Sequence, residues 1–248
     1  LIEKIRSDTL AQFQLRGDYT MPAYIIDPPP VAAAPIKGSD KLFPVRRVYC
    51  IGRNYAAHAI EMGHDPNREP PFFFQKNPNN IDFSGTFPYP SQTKDVHHEI
   101  ELVVALSKGG TNIPIAKALD HVWGYAVGLD MTRRDLQGIA KEMGRPWEIG
   151  KAFEKSAPMG PIVPASEIGH PAAGKVELKV NGKTKQTGDL NQMIWKVPEM
   201  ISYLSDYFEL AAGDVIMTGT PSGVAAVVAG DTMEAAIDGV GTLTVKVV

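Results

Sequence analysis

Two glutamates one residue apart, Glu99 and Glu101, are the groups best placed to do chemistry in the run His97-His98-Glu99-Ile100-Glu101-Leu102-Val103-Val104-Ala105-Leu106. A strand sends alternate side chains to opposite faces. Read as a strand, the run puts both carboxylates on one side and Ile100, Leu102 and Val104 on the other. Spaced roughly 7 Å apart along the backbone, the carboxylates repel each other unless a proton or a cation lies between them. Oxygen-only ligation with no cysteine nearby suits a hard ion such as Mg²⁺ or Mn²⁺. The alternative is that the pair is the solvated face of an amphipathic strand. Asp130 ends the apolar run Val122 to Leu129, a place from which a side chain can face a cleft. If it joins the glutamates, three carboxylates would hold a divalent ion on one side and leave its other positions for water and substrate.

Other candidates lie close in the chain. Arg134 and Gln137 are three apart on a helical stretch and can share a side. Lys151 sits between Gly150 and the apolar Ala152-Phe153. These groups could bind a carboxylate or an enolate, or Arg134 could be a solvated helix charge. His58 and Glu61 are also three apart: a surface pair, or, facing the ion, a carboxylate-oriented imidazole that acts as general base toward water. His97 shares the glutamate face and is a supporting group, whereas His98 falls on the other face. Cys50, the single cysteine, lies in the apolar run Val48 to Ile51 and reads as an inert core thiol.

The elements that must carry these residues follow from periodicity and turn chemistry. Strands are expected at Val45 to Ile51, Phe72 to Gln75, Val122 to Leu129 and Asp214 to Met217, with a hairpin over Val176 to Thr187 about Asn181-Gly182 and a final β pair about Asp238-Gly239. Helices are expected at Ala56 to Met62, Ile115 to Leu119, Arg134 to Met143 with Thr132 and Asp135 as start signals and Gly144 as stop, and Pro198 to Tyr207. Asp65 to Pro71 reads as a loop, and Thr218 to Gly223 as another. Pro28 to Pro35 is expected to form a stiff connector, so that residues 1–44 are an extension and 45–248 the catalytic domain. Met21 is a candidate natural start, and Leu1 to Thr20 is an expression remnant or a peripheral helix without chemistry. Strands outnumber helices, which indicates an α+β, β-rich rolled mixed sheet with peripheral helices; neither G-x-G-x-x-G nor a phosphate loop is present.

Composition bounds the partners. With 248 residues, a net charge of -3 and 44% hydrophobic residues, the chain has no basic footprint for nucleic acid or a membrane surface. No apolar run approaches the roughly 18 residues a bilayer requires, and cytoplasmic residence is the expectation.

In order and spacing, G-R-N-Y-A-A-H-A-I-E, H-H-E-I-E-L-V-V-A-L, G-Y-A-V-G-L-D-M-T-R-R-D-L-Q, G-K-A-F, P-x-G-P and T-G-T-P-S-G-V resemble the fumarylacetoacetate hydrolase superfamily from about Val45 to Val248. The resemblance implies a mixed β-roll, a homodimer, and Mg²⁺- or Mn²⁺-dependent action on a small 2-oxo acid. It implies Glu99, Glu101 and Asp130 as metal ligands, and His58 and Glu61 as a water-activating dyad on a lid. Arg134, Gln137, Lys151 and Thr220 would hold the pyruvate-like end, Lys151 also steadying developing negative charge. Because Glu69 to Pro78 departs from the commoner F-x-K-P pattern, this chain most resembles the bacterial branch that hydrolyses the acylpyruvate fumarylpyruvate to fumarate and pyruvate in gentisate breakdown. Arg68 or Lys76 is then the candidate contact for the distal carboxylate. A hydratase, isomerase or decarboxylase of a related 2-oxo diacid, oxaloacetate included, is the alternative, ahead of a non-catalytic binding protein on the same scaffold.

Overall fold

The computed structural model describes residues 23–57 and 70–248. His58, Glu61, His64 and Arg68, with most of the expected helix Ala56 to Met62 and loop Asp65 to Pro71, lie outside the described residues. Along the chain the longer strands are Arg47–Gly52 (β1), Phe72–Lys76 (β2), Ile100–Leu106 (β3), Val122–Leu129 (β4), Lys175–Val180 (β5), Lys183–Asp189 (β6), Asp214–Met217 (β7), Thr232–Ile237 (β8) and Gly241–Val247 (β9). The longer helices are Arg134–Glu142 (α1) and Val197–Tyr207 (α2).

Six strands form the central sheet, in the order Val163–Pro164, β4, β3, β7, β1, β2. Only the β7–β1 pair is parallel; the others run antiparallel. All seven residues of β3 are buried, because both faces of this sheet are covered. Leu102, Val104 and Leu106 enter one apolar cluster with Tyr125, Val127 and Ile216. Val103 and Ala105 enter a second with Val48, Cys50, Val215 and Met217. A strand buried on both sides loses polar alternation and keeps a charged residue only where something answers it.

The larger cluster is closed by a five-stranded sheet, ordered β6, β5, β8, β9 and Thr86–Phe87, which contributes Leu178, Met233, Ala235 and Val245. The β5–β6 turn is Asn181-Gly182 with φ of 50° and 73°, the left-handed pair that a tight two-residue hairpin needs. A third, three-stranded sheet is made by Val96–His98 between Thr132–Arg133 and Ala225–Val227.

The structure differs from the sequence reading at three places. The H-H-E-I-E run is not one strand: it breaks at Glu99, passing from the three-stranded sheet into β3. The compact unit begins at Ala32, inside the stretch expected as connector, since Ala33–Pro35 pairs with Leu42–Pro44 and buries Ala34 and Phe43. Residues 23–31 are described by themselves as exposed chain, apart from any helix or strand. Helix α1 starts at Arg134, but neither expected cap closes it. Thr132 turns to Glu99, and Asp135 accepts from the Thr93 hydroxyl and the Lys94 amide.

Candidate active site

Three elements bring the carboxylates together. Glu99 stands at the junction of two sheets, Glu101 points from β3, and Asp130 follows the end of β4. The Asp130 amide donates to the Glu99 carbonyl at 2.8 Å, fixing the two segments to each other. One carboxylate oxygen from each of the three lies within 4.8 Å of the others. All are deeply placed: Glu99 is 6% exposed, Glu101 3% and Asp130 1%.

Such a cluster is held by cations and amides. Lys151, on the short helix Glu148–Lys151, donates to Glu99 Oε2 at 2.9 Å and to Asp130 Oδ2 at 2.7 Å. Arg134 Nη2 pairs with Glu99 Oε1, while its Nη1 donates to Gln137 Oε1 at 2.7 Å. Glu101 Oε2 accepts from the Gly219 amide at 2.8 Å. Gly219 has φ +93°, and a Cβ there would stand 2.8 Å from that of Asn54, so glycine lets the amide approach the carboxylate. Burial, followed by the charges of Asp130 and Glu99, pushes the Glu101 carboxyl well above the usual carboxylate range. For Lys151 burial opposes the charged form, but Asp130 and Glu99 outweigh it and hold the ammonium protonated.

Lys76 corrects the sequence reading. Instead of meeting a distal carboxylate it is fully buried, with Nζ 2.9 Å from Asp130 Oδ1, 3.0 Å from Ser156 Oγ and 3.3 Å from the Met131 carbonyl, and bonded to the Lys151 carbonyl. It is a strut that fixes Asp130 and the Lys151 backbone. Its signal was its place at the inward end of an apolar strand, where a lysine persists only with a partner. His97 supports as expected: its Nδ1 accepts from Arg134 Nε at 3.3 Å, and Asp95 lies at its Nε2. Burial and Arg134 lower its pKa, keeping the ring neutral and able to accept. The Cys50 thiol is fully buried and raised by burial, an inert group as read.

The carboxylates open on a small cleft that Arg134, Gln137, Lys151 and Thr220 also line. Arg53, Lys141, Phe72 and Trp147 complete it, and the sequence reading singled out none of them. Arg53 lies over Phe72, Lys141 over Trp147, and the two rings meet edge to face. Neither cation has a carboxylate partner among the described residues. Burial, then Arg53 and Arg134, lower the Lys141 pKa. Two like charges held near each other mark a place for an anion.

The donor set fits a hard divalent cation. It is all oxygen and compact, and burial, followed by the charges of Asp130 and Glu99, raises the Glu101 carboxyl in the absence of a cation. Three carboxylates would leave room on such a cation for a chelating substrate.

Residues 47–248 match the family described as fumarylacetoacetate (FAA) hydrolase C-terminal, and the chain belongs to that family of enzymes. Among individual relatives, a fumarylpyruvate hydrolase from Pseudomonas aeruginosa, solved with Mn²⁺ and pyruvate, is 57% identical with a TM-score of 0.89, covering 91% of this chain and 99% of its own. A fumarylpyruvate hydrolase from Ralstonia sp is 43% identical over 184 residues, 74% of this chain and 95% of the relative. A mitochondrial oxaloacetate tautomerase of Homo sapiens is 41% identical over 202 residues, 82% of this chain and 91% of the relative. The β-rich mixed-sheet fold is the FAA hydrolase type and is shared with the Pseudomonas enzyme. Among the described residues no helix is long and apolar enough to cross a membrane.

Proposed function

We propose that the protein is a divalent-cation-dependent hydrolase that cleaves the carbon–carbon bond of an acylpyruvate, with fumarylpyruvate giving fumarate and pyruvate. The observation that carries this reading is the meeting of Glu99, Glu101, Asp130 and Lys151 in one cleft, in a chain 57% identical to an enzyme of that name. Mg²⁺ or Mn²⁺ held by the three carboxylates would supply Lewis acidity toward the oxygens of a 2-oxo acid. Arg134, Gln137 and Thr220 hold the acid's carboxylate, and Arg53 with Lys141 suits the second carboxylate of a diacid. His58, oriented by Glu61, takes a proton from water, which adds to the distal acyl carbonyl. The bond from that carbon to C3 of the pyruvate unit breaks, and its electron pair passes into the pyruvate enolate beside the Lys151 ammonium. Protonation at C3 completes pyruvate. A second reading, tautomerisation of oxaloacetate, is favoured by the human relative and needs only proton transfer between C3 and the keto oxygen.

One assay separates the two. With Mn²⁺, fumarylpyruvate should disappear with equal formation of pyruvate and fumarate, and excess chelator should stop it. His58→Ala should lose at least a hundredfold in kcat, given the usual contribution of a general base, while still binding oxalate. Unchanged fumarylpyruvate alongside rapid equilibration of enol and keto oxaloacetate would establish the second reading instead.

A further inference from the structure

Of the seven residues in β6, an edge strand of the five-stranded sheet, only Gln186 is buried, and it is fully so. Its amide has one possible orientation. Oε1 faces the Ile100 N–H at 3.1 Å, a group that can only donate, and Nε2 faces the Pro221 carbonyl at 2.8 Å, which can only accept. The remaining Nε2 hydrogen meets Thr220 Oγ1 at 2.7 Å. The Thr220 oxygen is therefore the acceptor of that bond. Its own proton must go elsewhere, and Thr220 lines the cleft beside Glu99, Glu101 and Lys151. His98 Nδ1, 2.9 Å from the same Oε1, braces the amide from the other side with its proton on Nδ1; its Nε2 has no partner among the described residues.

We propose that Gln186 is a positioning residue that holds the Thr220 hydroxyl as a donor into the cleft, set for the carboxylate of a 2-oxo acid. This rests on the reading of Thr220 as a contact for that carboxylate. A freely turning hydroxyl can present a lone pair to an anion as readily as a proton. Fixing the rotor in the fold removes that wrong state and spares the ligand the ordering cost.

The test is calorimetric titration of oxalate into the full chain loaded with Mn²⁺, with metal content and thermal melting recorded for each variant. Thr220→Val should weaken binding about tenfold or more, the usual effect of losing a hydrogen bond to a charged group. Gln186→Glu should match it, because a carboxylate in that place keeps the Ile100 bond but takes the Thr220 proton for itself. The double variant should bind no more weakly than Thr220→Val alone. Gln186→Met, which frees the hydroxyl without capturing its proton, should lose less affinity than Gln186→Glu at a similar melting temperature. Losses that add in the double variant would mean that Gln186 acts only through general structure, and they overturn the proposal. Full affinity in Gln186→Glu with tenfold loss in Thr220→Val also overturns it, yet leaves Thr220 as a contact. Full affinity in Thr220→Val removes both. Should Gln186→Glu not fold, Gln186→Met decides alone: any further loss in the Thr220→Val background sinks the idea.

Discussion

Glu101 is a carboxylate placed beside two others and out of water. Glu101→Gln keeps its size and its acceptor for the Gly219 amide while removing the repelling charge. The metal-free variant should therefore melt above the metal-free parent by about 2–4 °C, the shift that about 1 kcal/mol gives in a chain of this size, yet retain only trace Mn²⁺ by elemental analysis. Normal Mn²⁺ content would contradict its role as a ligand. At this scale the carboxylates, Arg134, Gln137 and Lys151 were legible, because residue type and short spacing marked them. Lys76, Arg53, Lys141 and Gln186 were not. Lys76 answers Asp130 from 54 positions away, and Gln186 reaches Thr220 across 34. No local pattern encodes such pairs.

Elements were easier to read than their neighbours in space. Val122–Leu129 and Asp214–Met217 follow their apolar runs, and the Asn181-Gly182 turn declares itself. What escaped was the break at Glu99, since a change of sheet leaves the alternation of side chains intact. The turn after β1 has a tie of the same hidden kind. Asn54 donates to the Thr218 carbonyl at 2.8 Å and the Trp195 carbonyl at 3.0 Å, and accepts from the Trp195 amide at 2.7 Å. It thereby joins the turn that presents Arg53, the start of α2 and the loop that presents Gly219. Asn54→Ala removes these bonds and should cost about 1–3 kcal/mol for the buried Thr218 carbonyl it leaves without its donor. A thermal melt should register it, and weaker Mn²⁺ binding should accompany it as Gly219 loses its anchor. An unaltered melt would show that water replaces the amide without loss.

For the whole molecule, ligands that bind only the folded state raise its melting temperature. Mn²⁺ at a hundred times its dissociation constant should add about 2.7 kcal/mol, read by differential scanning fluorimetry. Pyruvate should add a further shift in the presence of Mn²⁺ and much less in chelator. An equal pyruvate shift in both conditions would place the acid away from the carboxylates. Burial of the central sheet on both faces makes that platform hard to deform, so the responses should track occupancy and leave the secondary structure seen by circular dichroism unchanged.

Lys76, Lys151 and Arg134 bring three positive charges to the carboxylates of Glu99 and Asp130, and Glu101 accepts from the Gly219 amide. Such pairing would let the interior close before any ion reaches it. A cation held at the proposed site would then be a late arrival, open to removal and replacement without refolding.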